Sequence, residues 1–204
     1  MMEVIGLTGG IASGKTLVSK ILTDLGAYII NADLIGHQVY LPDKDAWRDI
    51  VATFGPAILK PDQTVDRAKL GVIVFNDKEA LNKLNQITHP RIVEETQRDI
   101  AVQRDKRGDK GHVFLEAAIL IEANWLFLVN KVWVVVADKE VAIQRLQRDR
   151  NLSPEDAKKR LATQLSNEER IKYADLIIKN NGSIEELQEQ VERAWYELNA
   201  KGIA

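Results

Sequence analysis

Gly9-Gly10-Ile11-Ala12-Ser13-Gly14-Lys15-Thr16 is the stretch on which the fold of this 204-residue chain turns. It reads as glycine, four residues, then Gly-Lys-Ser/Thr, the pattern of a phosphate-binding loop. Gly9 and Gly14 let the backbone turn tightly and approach a phosphate chain without a Cβ in the way. Gly10, Ile11, Ala12 and Ser13 supply the rest of the cradle. The loop should open into a helix whose first amides have no partner within the helix and point at an anion. Lys15, read as a solvent-facing loop lysine, brings an ammonium to the terminal phosphates, and the Thr16 hydroxyl is a ligand for Mg²⁺.

The flanks agree. Glu3-Val4-Ile5-Gly6-Leu7-Thr8 is a short apolar run rich in β-branched residues, a strand. Leu17, Val18, Ile21, Leu22 and Leu25 then recur on one face of a helix, and Gly26 follows as its C′ residue. A plain strand–turn–helix would give Lys15-Thr16 no purpose.

Composition bounds the rest. Hydrophobic residues make up 45% of the chain, enough for a core, which argues against disorder. Cysteine is absent, so there is neither a disulfide framework nor a thiolate metal site. The first strand begins by residue 3, leaving no room for an export signal, and the apolar run from Val113 to Val129 is broken by Glu116 and Glu122. A cytoplasmic protein without a membrane partner is expected. With 28 basic against 30 acidic residues, no bulk signal for nucleic acid exists.

Strands and helices alternate along the chain, as in a parallel sheet covered on both faces. Further strands are expected at Ala27–Ile30, Val113–Leu115, Val132–Val136 and Asp175–Lys179, with a mostly helical stretch from Asp33 to about Lys106. Within that stretch Pro90 is expected to start a helix. Gly108-Asp109-Lys110-Gly111 reads as a turn, and Ser153 and Ser166 open helices with the spacing of a capping box. The expected class is α/β: a P-loop nucleotide-binding core with a parallel sheet (1–32, 109–144, 173–204), a helical substrate-binding insertion (33–108) and a short lid (145–172). The lid segment carries eight Lys/Arg, among them Arg145, Arg148, Arg150 and Arg170, against five acids. A mobile arginine-bearing lid that closes on phosphates has this composition, and so does a solvated helical hairpin.

Phosphoryl transfer needs a group that orients or deprotonates the acceptor. Asp33, at the end of the second strand, is the candidate, the structural alternative being a helix N-cap. Glu116 ends an apolar strand where a Walker B acid stands, and is a candidate for Mg²⁺. A guanine-nucleotide switch is rejected. Asp33-Leu34-Ile35-Gly36 comes too soon after Lys15, and Asn130-Lys131-Val132-Trp133 has Trp where the base-reading acid belongs.

Gly6-Leu7-Thr8-Gly9-Gly10-Ile11 before the loop, the Ala32-Asp33 pair, Asp66-Arg67 with Leu70-Gly71 and Val74-Phe75, His89-Pro90, Ile119-Leu120-Ile121-Glu122, Arg160 with Gln164, Ala174-Asp175 and Asn180-Asn181-Gly182 together resemble the dephospho-coenzyme A kinase family along essentially the whole chain. The segment Glu116–Trp125 also resembles the kinase portion of bifunctional coenzyme A synthases. The resemblance implies ATP-dependent phosphorylation of the ribose 3′-hydroxyl of dephospho-CoA, with ATP and Mg²⁺ as cofactors and small molecules as partners. A monomer is expected. The resemblance makes Asp33 the base, residues from Ile11 to Thr16 the ATP cradle, Arg67 and His89 substrate-domain residues, and Asn181 a residue near the nucleotide. Asn31 stands two residues before Asp33 where an acid is usual, and Asp149 occupies the usual second lid-arginine position. Helical spacing with Arg145 favours Arg148 over Arg150 as the lid arginine. The alternative enzyme is a nucleoside or nucleoside-monophosphate kinase with the same core.

Overall fold

The computed structural model describes residues 2–108 and 111–200. The Gly108–Gly111 turn lies partly outside the described residues. Five strands, β1 (Glu3–Gly9), β2 (Tyr28–Asn31), β3 (His112–Glu116), β4 (Lys131–Val136) and β5 (Leu176–Lys179), form one parallel sheet in the order β2-β3-β1-β4-β5. Apolar side chains on both faces of β1, β3 and β4 demand cover on both sides, the signature of strands joined by crossover helices. Helices α1 (Lys15–Asp24) and α9 (Ile184–Ala200) cover one face. There Leu7, Val18, Leu22, Phe114, Trp133, Val135, Leu187 and Val191 form a continuous core. Phe114 and Trp133 meet edge to face at 5.0 Å between ring centroids.

α1 ends as its sequence requires. Gly26 has φ 95, its N–H bonds the Thr23 carbonyl and the Ala27 N–H bonds the Leu22 carbonyl, a complete Schellman motif. The remaining helices are α2 (Ala32–Gln38), α3 (Asp45–Phe54), α4 (Arg67–Asn76), α5 (Lys78–Arg107), α6 (Lys139–Arg150), α7 (Pro154–Ala162) and α8 (Asn167–Ile171). The chain divides into two compact units, one built from residues up to Asn31 and from Ile100 onward, the other from Ala32–Asp99. The second has its own core of Ile50, Ile58, Val65 and Leu70, packed by Trp47 and Phe54. Asp66 caps α4, accepting from the Ala68 and Lys69 amides, so this residue of the Asp66-Arg67 pair does structural work.

One helix boundary differs from the sequence-based expectation. Pro90 does not start a helix; it lies inside α5. A proline there removes one i→i−4 bond and crowds the preceding turn. Side chains on either side of the proline bond other helix carbonyls: Arg91 Nη1 donates to Ile87 O at 2.6 Å and Thr88 Oγ1 to Leu84 O at 2.9 Å. The capping boxes also differ. Ser166 and Glu169 form both reciprocal bonds, whereas the Ser153 hydroxyl accepts the Asp156 N–H and donates to the Asp156 carboxylate.

His112 on β3 has its Nδ1 buried without a hydrogen-bond partner, 3.9 Å from Glu3 Oε2. Burial lowers its pKa; Glu3 opposes the shift and Lys131 adds to it. Burial also lowers the pKa of His37, helped by Arg67, and that of His89. In each case the unfolded chain binds the proton more readily than the folded one. The histidine contribution to stability is therefore complete above the ordinary imidazole pKa of about 6.5 and is lost as pH falls through the depressed folded values. Melting temperature is expected to fall on acidification from about pH 7 to pH 5. The fall should be shallower in His112→Gln; superimposable profiles would remove His112 from the effect.

Candidate active site

The phosphate loop lies between β1 and α1, at the carboxyl edge of the sheet, where open α/β folds bind ligands. Its glycines answer to close approach. A Cβ on Gly9 would lie 2.5 Å from the Val135 carbonyl oxygen and 2.7 Å from Ser13 Oγ, so β4 and the loop itself exclude any side chain. Gly14 has φ 93, and a Cβ there would run into the Asn180 amide. Ala12 also adopts a left-handed conformation, φ 59. Within the loop, Ser13 N–H bonds Gly10 O at 3.1 Å. Gly10, Ile11, Ser13, Lys139, Lys158 and Gln164 help line a cavity of about 650 Å³.

Lys15 does not face solvent. Its side chain is only 11% exposed, and its ammonium lies 3.1 Å from Glu116 Oε1. The other Glu116 oxygen accepts from Ser19 Oγ at 2.8 Å and Asn31 Nδ2 at 3.2 Å. Asn31 therefore supports the acid on the neighbouring strand with a donor, a bond that a carboxylate at that position would lose. Thr16 is exposed in the first turn of α1.

Asp33 is exposed and sits in the first turn of α2, one residue past its start, rather than at the N-cap position. His37 follows one turn later, close enough to Asp33 and Arg67 to feel both charges, and its ring meets Tyr40 edge to face. Arg67 is exposed at the start of α4, and His89 is half-buried on α5.

The basic segment over 145–172 divides by role. Arg145 reaches the loop: Nη1 donates to Ala12 O at 3.3 Å and Nη2 to Asn180 Oδ1 at 3.1 Å. Arg148 is not brought to the loop. Its side chain is 75% exposed and forms an ion pair with the adjacent Asp149. Arg170, counted above among the basic lid residues, is a core residue: it is fully buried and donates to Glu122 Oε1 at 2.7 Å. Asn181 Oδ1 accepts the Asp138 N–H, tying the turn after β5 to the start of α6. Its neighbour Asn180, buried, holds Ser13 O through Nδ2 at 2.7 Å. Asn180 was legible only as part of a motif, although its place just after a strand at the ligand edge was the available signal.

Asn130 and Lys131 are structural. Asn130 Oδ1 accepts the Val4 N–H and Lys131 pairs with Glu3, both at the amino end of the sheet.

A sequence profile described as dephospho-CoA kinase matches residues 3–186. A dephospho-CoA kinase of Geobacter metallireducens is 45% identical over 196 residues, 96% of each chain. One of Moorella thermoacetica is 43% identical over 197 residues, covering 97% of this chain and 92% of the relative. Among solved structures, the dephospho-CoA kinase of Campylobacter jejuni aligns with a TM-score of 0.75 at 31% identity, over 98% of this chain and 99% of that one. A shikimate kinase of Acinetobacter baumannii aligns with a TM-score of 0.56 at 18% identity, over 98% of this chain and 95% of that one, a likeness of fold alone.

Proposed function

The chain belongs to the dephospho-CoA kinase family, and from that premise we propose how its residues share the work of the reaction. The reaction is ATP-dependent phosphorylation of the ribose 3′-hydroxyl of dephospho-CoA, giving CoA and ADP, in coenzyme A biosynthesis. The observation that carries this reading is the family match over residues 3–186. No observation favours a nucleoside or nucleoside-monophosphate kinase.

In the transfer, the 3′-oxygen forms a bond to the γ-phosphorus while the bond to the β–γ bridging oxygen breaks, and the hydroxyl proton leaves. Asp33 is the base that takes this proton. Its exposed carboxylate in the first turn of α2 supports the role, since a base must meet its substrate. Lys15 and the amides at the start of α1 stabilise the charge spreading over the migrating group. Arg67 and His89 bind the acceptor on the 33–108 insertion. Asn181 belongs to the nucleotide site through the turn it stabilises.

The residues fit Mg²⁺. Mg²⁺ keeps several waters and takes few protein ligands beside phosphate oxygens, so a lone exposed hydroxyl at Thr16 suits it. Glu116, with its oxygens engaged by Lys15, Ser19 and Asn31, would be the second residue to hold it. The metal neutralises phosphate charge when bound. Ser13 Oγ, buried without a hydrogen-bond partner, supports an anion at the loop. We further propose a monomeric, cytoplasmic enzyme with no nucleic-acid or membrane partner. No helix among the described residues is long and apolar enough to cross a membrane.

The deciding assay measures ADP formation with dephospho-CoA, AMP, CMP or a nucleoside as acceptor, with phosphorus NMR locating the new phosphate. Turnover with dephospho-CoA and a 3′-phosphate product is expected; preference for AMP or CMP would establish the other kinase class.

Arg148 is proposed as the lid arginine that meets the transferring phosphoryl group, exchanging its exposed pairing with Asp149 for the phosphate. Arg148→Ala should lower kcat by at least roughly tenfold with little change in the KM for ATP. Arg145→Ala, which removes a contact to the loop itself, should raise the KM for ATP. Full kcat in Arg148→Ala would exclude Arg148 from the transfer and leave Arg150 as the candidate.

A further inference from the structure

The phosphate loop is held from outside on three successive residues. Gln164 Oε1 accepts the Ile11 N–H at 2.8 Å, Arg145 donates to the Ala12 carbonyl, and Asn180 donates to the Ser13 carbonyl. At the centre of this grip Ala12 has φ 59, a left-handed conformation that residues bearing a Cβ rarely adopt. Arg145 and Asn180 bond each other and form one support. Gln164 is the other, and it arrives from the turn between α7 and α8.

That turn is bolted in place. Arg170, without solvent exposure, donates to Leu165 O at 3.3 Å, to Ala118 O at 3.4 Å and to the Glu122 carboxylate. Asn167 Nδ2 donates to Ala137 O at 2.8 Å. Ala118 and Ala137 closely follow the ends of β3 and β4, so the turn is anchored to the same sheet edge as the loop. Gln164 thus extends a fixed arm onto the loop.

We propose that Gln164 is a positioning residue that keeps the phosphate loop in its strained, nucleotide-ready shape. Its carbonyl oxygen takes up the Ile11 amide and leaves the amides at the start of α1 for the phosphates. A loop held in the bound shape binds nucleotide without the cost of ordering it first. The role therefore lies in ATP affinity rather than in the transfer step. It rests on the ATP-dependent reading above.

The test is the dissociation constant of Mg·ATP by calorimetry without acceptor, which does not depend on the acceptor's identity. Gln164→Met keeps the length of the side chain and loses its acceptor; Gln164→Ala is the second variant. Each is made in the parent chain and in an Ala12→Gly background. In the parent chain, loss of one neutral hydrogen bond should weaken binding by about three- to tenfold. In the Ala12→Gly background the factor should be smaller, because glycine enters the left-handed region freely and needs less holding. The KM for the acceptor should stay at its parent value. Unchanged ATP affinity, or equal weakening in both backgrounds, overturns the proposal. A parent protein that binds no Mg·ATP would overturn the kinase reading itself.

Discussion

Lys15→Ala is expected to abolish measurable phosphoryl transfer and also to lower the melting temperature. The first effect follows from removing the charge that stabilises the migrating phosphoryl group, a loss of at least roughly 10²–10³-fold by analogy with single oxyanion-stabilising donors. The second follows from the pairing with Glu116, whose residue is only 4% exposed. Breaking a buried ion pair from one side costs about 3–5 kcal/mol when the remaining charge has no other partner. Here Ser19 and Asn31 still donate to Glu116, so the cost should fall at or below that range. A solvent-facing lysine would have shown no such effect. The two consequences separate in Lys15→Ala/Glu116→Gln, which removes the stranded carboxylate charge. This variant should regain much of the melting temperature and none of the activity. Near-normal turnover in either variant would overturn the phosphate-loop assignment.

Asp33→Asn should lower kcat by roughly 10²-fold or more while ATP affinity holds, as loss of a general base does. Asparagine keeps the shape and removes the basicity. Asp33 occupies the first turn of α2 and is not its N-cap. The weakened interaction with the helix dipole should cost about 0.3–1 kcal/mol of stability. Single-turnover kinetics with saturating dephospho-CoA would read the chemical step directly. An unchanged kcat with a lowered melting temperature would move the base elsewhere.

Much of the fold was legible because local physics decides it. The run Glu3–Thr8, the loop from Gly9 to Thr16 and the face of Leu17 to Leu25 form contiguous chain, and Gly26 stops the helix by its own backbone preference. Buried parallel strands need apolar residues throughout, so β3 and β4 stood out as runs. Pro90 misled, because a proline's local rule favours a helix start and tertiary packing carried α5 through it. Charge misled as well: Arg170 looked like one more cation in a basic segment, and its burial depends on Glu122, 48 positions away.

The order of residues along the chain is enough to establish that a phosphate loop joins a buried strand to a helix, since every residue of that unit is a near neighbour of the next. It is also enough for the family, through motifs kept in order from one end to the other. What surrounds the loop is a matter of folding in three dimensions. Lys15 meets an acid from β3, and Ile11, Ala12 and Ser13 are held by Gln164, Arg145 and Asn180, at separations of 153, 133 and 167 positions. No periodicity or propensity encodes such pairs. They arise because a parallel sheet returns the carboxyl end of every strand to one edge, where residues distant in the chain converge on the same few backbone atoms.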